Sequence, residues 1–283
     1  MLACIQPQAT AQIQKDSINK KKIKKIILAE SAIYTSGMTA LGFLWYKDNQ
    51  SQSFQFFNDN NQWLQMDKVG HVYTAYHITE INFQLLKKSG MNSQKAMLYS
   101  SLSATAMMFP IEIFDGFSQA YGASWGDVVA NTIGAFLPYQ RFMFDQNYIF
   151  PKFSFSPSSY ADLRPNTLGN NYIKQLIKDY NGQTYWLSTD LNIFSKKNKF
   201  PDWLQFSVGY SGNKMVYGNP LENTQNGYEA NRQWFLSLDL NMSKIEVEQK
   251  WLKIMFNIIN RVKIPFPTLE WNGKGVVLHP LYF

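Results

Sequence analysis

The hydrophobic pattern of this chain changes period near Pro151. Before that point apolar residues recur every three to four positions, and well after it they alternate with polar ones. A change from a period of about 3.6 to a period of 2 dictates helices first and strands second. The 283 residues are enough for two small domains, each with its own core. The predicted fold class is therefore α+β: a four-helix domain over 26–150, a linker or wrap over 151–180, and an antiparallel sheet over 181–283 with a covering helix near 247–262. Residues 1–25 read as a signal remnant and a basic polar lead.

The helical stretches are Ile26 to Tyr46, Gln65 to Ser89, Ser93 to Tyr121 and Ser124 to Phe144. About 20 apolar residues cross a bilayer, so the first is long enough to span. Glu30, Ser31, Thr35 and Ser36 weaken that reading and favour a buried or interfacial helix. Ser124 with Asp127 has the spacing of a capping box, which fixes the start of the fourth helix. Pro110 should kink its helix just before Glu112, and Gly70, Gly116, Gly126 and Gly134 would let helices approach closely. The Lys47–Gln62 stretch is rich in Asn, Gln, Asp and Ser and reads as a loop.

In the second half a short helix is expected near Ile173 to Tyr180. Strands follow over Tyr185–Phe194, Leu204–Tyr210, Gln233–Met242, Thr268–Trp271 and Gly275–Phe283. Leu187-Ser-Thr-Asp-Leu-Asn192 and Leu236-Ser-Leu-Asp-Leu-Asn241 are alike, which suggests equivalent strands of one sheet. The chain ends on an aromatic, Phe283, as outer-membrane barrels commonly do. His279 and Pro280 spoil that pattern, and about five strands are few for a closed barrel, so a barrel-like curl is the furthest this reading goes. Between the strands, Trp251, Leu252, Met255, Phe256, Ile259 and Val262 fall at helical spacing with Lys250 and Lys253 beside them. They make either a cover for one face of the sheet or a membrane-surface helix.

Charged residues are only 17% of the chain against 45% hydrophobic, below the usual quarter for soluble domains. Such a chain is expected to touch lipid or to pack large aromatic surfaces. Its net charge of +7 comes without any nucleic-acid motif, so nucleic acid is excluded as a partner and an anionic membrane surface or an envelope protein is the expected one. The single cysteine, Cys4, allows no internal disulfide. Met1-Leu2-Ala3-Cys4 has the form of the end of a lipoprotein signal, while Ala9-Thr10-Ala11 is a competing cleavage site before Gln12. Both imply export.

Three polar clusters interrupt the apolar helices: Asp67-Lys68-Val69-Gly70-His71, Glu112-Ile113-Phe114-Asp115, and Ser124-Trp125-Gly126-Asp127 with Asn131. Ionisable groups on the buried side of a helix are costly unless paired, so these clusters should meet in one polar centre. Spacings of three or four put Asp67 with His71, Glu112 with Asp115, and Asp127 with Asn131 on shared faces. The plain reading is a hydrogen-bond network that fixes helix register. The chemical alternatives are a divalent cation such as Mg, Mn or Zn held by His71, Glu112, Asp115 and Asp127, catalysis by His71, Asp67 and Lys68, or a pocket for a lipid headgroup. Tyr73, Tyr76, His77 and His279 read as packing or structural residues. No HExxH, GxSxG or Gly-rich phosphate loop is present.

These three clusters resemble the YfiM-like family of predicted periplasmic lipoproteins, a family of unknown function. The order DKxxH, Glu, SxxD with Asn is also similar, more remotely, to VanZ-like membrane proteins. The resemblance covers about residues 26–145, and continues through Asn181-Gly-Gln-Thr-Tyr-Trp-Leu187 to His279-Pro-Leu-Tyr-Phe283 for the longer envelope members. It implies the four-helix core and a place in the cell envelope, and it carries no reaction; the signal remnant, the low charge and the terminal Phe283 point to the periplasmic side of the outer membrane. The expected function is that of a Gram-negative cell-envelope protein, structural or interacting and associated with the outer membrane. The alternative is a metal-dependent hydrolase or transferase acting on a lipid or cell-wall precursor at the Asp67/His71/Glu112/Asp115/Asp127 centre.

Overall fold

Polar caps set where three of the long helices begin. Asn19 accepts from the Lys22 amide to open α1 (Lys20–Leu41), Asn92 accepts from Gln94 and Lys95 to open α3 (Ser93–Gly116), and Ser124 accepts from Asp127 to open α4 (Trp125–Phe136). The second helix, α2 (Met66–Lys88), begins differently, after three left-handed residues: Trp63, Leu64 and Gln65 have φ of 47°, 50° and 62°. Left-handed backbone on such residues is costly, and contacts from the sheet hold it. Gly218 accepts from the Trp63 amide at 3.0 Å, the Tyr210 hydroxyl donates to the Leu64 carbonyl, and Arg232 donates to Gln65. The structure, a computed structural model, describes residues 18–46, 51–119, 122–144, 148–194 and 199–283. The Cys4 and Ala9-Thr10-Ala11 signals, and the ends of two predicted segments at Lys47 and Tyr121, lie outside the described residues.

The helices pack on small residues. Ala75, Ala104, Met108 and Ala135 form the apolar core of α2, α3 and α4. A Cβ on Gly134 would lie 2.3 Å from the Val72 carbonyl, so glycine is what lets α4 approach α2, and the Thr79 hydroxyl donates to the Ala135 carbonyl at 3.0 Å across the same contact. Pro110 lies inside α3 without ending it. α1 starts earlier than its apolar stretch, taking in the lysine run, and none of its residues is buried, so it is not a core helix. By length and composition α1 and α3 are both apolar enough to cross a membrane.

After α5 (Gln140–Met143) the chain enters the sheet sooner than its sequence suggests. Strand β1 (Phe150–Phe155) lies within the stretch read as linker, because Phe153 and Phe155 are set against Lys152 and Ser154 in a true alternation. Then come α6 (Pro165–Leu168), α7 (Tyr172–Lys178), β2 (Gln183–Asp190), β3 (Leu204–Asn213), α8 (Pro220–Gln225), β4 (Asn231–Leu240), α9 (Lys250–Ile259), β5 (Phe266–Asn272) and β6 (Gly275–Tyr282). The six strands form one antiparallel meander in chain order, with no pairing between β1 and β6. The sheet curls without closing. Tyr282 on β6 reaches Thr184 on β2 (3.1 Å) and packs tilted on Phe235, ring centres 4.6 Å apart, while Phe153 of β1 exchanges backbone hydrogen bonds with the Arg261–Lys263 segment ahead of β5.

The register puts an apolar row on the outward face and a mixed inward face, on which Trp186 and Phe235 are buried beside hydroxyl and charged groups. One row across five strands is Leu187–Val208–Leu236–Leu269–Leu278. Beside it runs the aromatic row Tyr185–Tyr210–Trp234–Trp271, ending on Val276. The neighbouring row on the opposite, concave face is Ser188–Ser207–Ser237–Thr268–His279. The aliphatic row is exposed by 51, 37, 47, 46 and 65%, whereas Ser188, Ser207, Ser237 and Thr268 are buried. Asp239 and Lys152 are also buried inside, 2.8 Å apart, and Lys263 donates to the Leu238 and Ile264 carbonyls. The two look-alike segments lie in register on either side of β3: Leu187 with Leu236, Ser188 with Ser237, Asp190 with Asp239.

Candidate functional site: a buried ion-pair centre

Four elements bring the polar clusters together. The Trp63–Gln65 turn aims the first two turns of α2, with Asp67, Lys68 and His71, at the N-terminus of α4. A helix N-terminus favours a negative charge, and Asp127 in the first turn of α4 supplies one. Lys68 is the resident cation. Its Nζ lies 2.6 Å from Asp59 Oδ2, 2.8 Å from Asp127 Oδ1 and 3.3 Å from Asp67 Oδ2. His71 shares the other side: Nε2 is 3.6 Å from Asp67 and 3.8 Å from Asp127, and Nδ1 is 2.9 Å from Asn131 Oδ1 and 3.8 Å from Glu112.

Glu112 is held by two donors, the Asn131 amide at 3.3 Å and the Ser124 backbone N–H at 3.4 Å. The expected capping box is thus only half made. Ser124 Oγ accepts from the Asp127 N–H at 3.4 Å, but the Asp127 carboxylate turns to Lys68, and Glu112 takes its place at the Ser124 N–H. Ser124 Oγ also donates to Asp59 at 2.6 Å. Asp115 sits half-buried on the wall of the adjoining cavity.

Two members carried no periodic signal in the sequence. Asp59 lies in the polar loop before α2, and Tyr180, just after α7, donates to Asp67 at 2.9 Å from 113 residues away. Gly126 leaves room for the neighbouring Asn60 and Lys68 side chains, where a Cβ would lie 2.2 Å and 3.0 Å from them.

The charges are unequal, and burial and neighbours sort them. Burial opposes the charge on Asp67, but His71, Lys68 and the Tyr180 hydroxyl hold its carboxyl below the ordinary value. Burial and the Asp67 charge push Asp127 up to about 8. Burial also raises Glu112, with His71 opposing it. For His71 and Lys68, desolvation is outweighed by the surrounding carboxylates, Asp67 first, and both are raised. Asp127, Glu112 and His71 are thus all shifted toward their protonated forms, while Asp67 is shifted toward its charged one. His77 is a separate residue: burial and Arg261 lower it to about 3, and its Nε2 lies 3.0 Å from the Pro151 carbonyl. Tyr73 packs on Phe153, Tyr185 and His77, and Tyr76 is buried against His77. His279 pairs with Glu270 in the sheet at 2.7 Å.

A cavity of about 500 Å³ opens beside the centre. Asp59, Asp67, His71 and Asp127 form its polar floor, and Met38, Leu41, Trp45, Met108 and Ile111 are among its apolar walls. Among the described residues, the His and acidic groups whose ligand atoms lie within 4.8 Å of one another are Asp67, His71 and Asp127. Asp67 takes the place of Glu112 and Asp115 in the set read from the sequence. One nitrogen and two hard oxygens could hold a divalent cation, with Lys68 competing for the same oxygens.

Residues 53–143 match the family described as predicted periplasmic lipoprotein (DUF2279). The span covers the left-handed turn, α2, α3, α4 and every member of the centre except Tyr180. The match supports the resemblance to the YfiM-like lipoproteins and a periplasmic location, and gives no support to the VanZ-like one. No curated protein and no solved structure matches the chain.

Proposed function

We propose that this protein is a structural or interaction protein of the Gram-negative envelope, seated on the periplasmic side of the outer membrane with the convex face of its sheet against lipid. The observation that carries this reading is the unbroken apolar row on the outward face of the sheet. The Leu187–Val208–Leu236–Leu269–Leu278 row faces outward, and the Ser188–Ser207–Ser237–Thr268 row faces inward. Water-soluble sheets put the apolar row inside, whereas lipid-facing sheets put it outside and flank it with aromatics, the place Tyr210, Trp234 and Trp271 take here. Five exposed aliphatic residues in one row are costly in water, at about 25 cal/mol for each Å² of apolar surface left exposed. Lipid removes that cost. The sheet is not closed, so the free edge of β6 must lie outside the hydrocarbon or against a partner strand. Membrane fractionation of the full-length protein tests the location: recovery with the outer membrane is expected, and recovery in the soluble fraction contradicts it.

In this reading the ion-pair centre fixes the register of α2, α3 and α4. One observation favours a second role: Asp67, His71 and Asp127 form the floor of the cavity rather than a sealed core. Their clustering on the cavity floor suits a hydrolase or transferase for a lipid or cell-wall precursor, with a divalent cation at those three ligands. Metal analysis of wild type and Asp127→Asn separates the two roles. Equal, negligible metal in both supports the structural role, and stoichiometric metal lost on substitution supports the second.

A further inference from the structure

α9 has three arcs. Leu252, Phe256 and Ile259 are partly covered, Trp251, Ile254, Met255 and Ile258 face solvent, and Lys250, Lys253, Asn257 and Asn260 fill the arc between. Trp251 is 62% and Ile254 61% exposed. A helix that covers a sheet has one apolar face; a second, outward one beside basic residues belongs at a lipid–water interface.

The polar arc borders a cleft of about 400 Å³ between α9 and α2. On the α9 side it is lined by Ser243, Asn257, Asn260 and Arg261, and on the other by Tyr76, His77, Glu80 and Arg141. Arg141 is committed: it pairs with Glu80, donates to the Pro138 carbonyl and lies over Phe83. Asn257 is committed through Ser243 and the Lys253 carbonyl. Arg261 is different. Its backbone carbonyl accepts from Tyr73 and Phe153, but its guanidinium makes no hydrogen bond or ion pair among the described residues. His77 beside it is held neutral by burial and by Arg261 itself, so among the described residues lining the cleft Arg261 is a cation with no protein partner, and the carboxylate of Glu80 is already paired with Arg141.

We infer that α9 lies in the membrane interface and that the Arg261 cleft takes the phosphate of an anionic phospholipid headgroup. Trp251, Ile254, Met255 and Ile258 enter the acyl boundary, which brings Arg261 to the level of the phosphates, where a planar guanidinium gives paired donors. Lys250 and Lys253 add attraction for the same surface. This inference rests on the membrane-seated reading but names the lipid and the residue that reads it.

The test uses the detergent-purified full chain with Cys4→Ser and Ile254→Cys carrying an environment-sensitive fluorophore, since Cys4 is the single cysteine. Vesicles of phosphatidylcholine alone are compared with equimolar phosphatidylcholine and phosphatidylglycerol. The label should shift to the blue on the phosphatidylglycerol vesicles, and Arg261→Gln should weaken partitioning about fivefold, the share of one basic residue near an anionic surface. Equal response to both vesicle types, or no effect of Arg261→Gln, overturns the inference. So does inorganic phosphate at millimolar concentration abolishing the difference, which would make this a free-phosphate site. A label at Leu236 read in parallel separates the failures: lipid contact at Leu236 without contact at Ile254 leaves the sheet reading standing and removes this one.

Discussion

Lys68 Nζ lies closer to Asp59, in the loop before α2, than to either Asp67 or Asp127 on the helices: 2.6 Å against 3.3 Å and 2.8 Å. The loop is thereby tied to the centre, and a single ammonium serves three carboxylates in a place where its side chain is only 14% exposed. Removing one partner of a buried ion cluster costs more than the cluster contributes, because the remaining charges lose their compensation. Lys68→Met should therefore destabilise the protein by about 3–5 kcal/mol in chemical denaturation. Asp59→Asn, which relieves charge while keeping an acceptor for Ser124, should cost much less. Equal losses for the two would contradict the assignment of Lys68 as the shared cation.

The pH dependence follows from the direction of the shifts. Asp127 is raised from 3.8 to about 8, first by burial and then by Asp67. A carboxyl with a folded pKa above its unfolded one binds more protons in the native state. Its stabilisation is complete below 3.8 and is lost as pH rises through about 8. His71, raised from 6.5, acts in the same sense. Asp67, lowered from 3.8, acts in the opposite sense but only in acid. Wild type should lose stability as pH rises from about 4 to about 8, and Asp127→Asn should flatten much of that slope. Denaturation midpoints at several pH values check it, and parallel slopes for the two proteins would contradict it.

Gly134 faces the Val72 backbone, where a Cβ would meet the carbonyl at 2.3 Å and Cα at 2.8 Å. Backbone cannot rotate aside as a side chain can. Gly134→Ala should therefore push α4 from α2 and cost about 1–3 kcal/mol, while Gly37→Ala on α1, with nothing within 4 Å, should be neutral or slightly stabilising. Thermal melts of the two variants distinguish a packing contact from a general helix-propensity effect.

Much of this architecture is legible in the sequence because it follows from period. The 3.6-residue pattern marked α2, α3 and α4, and the two-residue pattern marked β2 to β6 within a few residues at their ends. What period cannot show was missed. β1 hides among prolines, with Phe153 and Phe155 as its main signal. Asp59 and Tyr180 join the centre from irregular segments, where no helical face exists to point the way. The left-handed Trp63–Gln65 turn has no glycine to announce it, since the sheet rather than local preference holds it. The alternation of β4 was plain, but alternation alone does not say which face is inside. Only the pairing of Ser188, Ser207 and Ser237 in one buried row fixes that.

The central claim is that the outward aliphatic row meets lipid, and Leu236, in the middle of it, reports on that most directly. A fluorophore at Leu236→Cys in the Cys4→Ser background, reconstituted in bilayers, should be quenched by lipids brominated on the acyl chain and protected from water-soluble quenchers. A label at Lys274, in the β5–β6 turn, should show the reverse. Quenching of the Leu236 label by the water-soluble reagent, at the level seen for Lys274, would contradict the account.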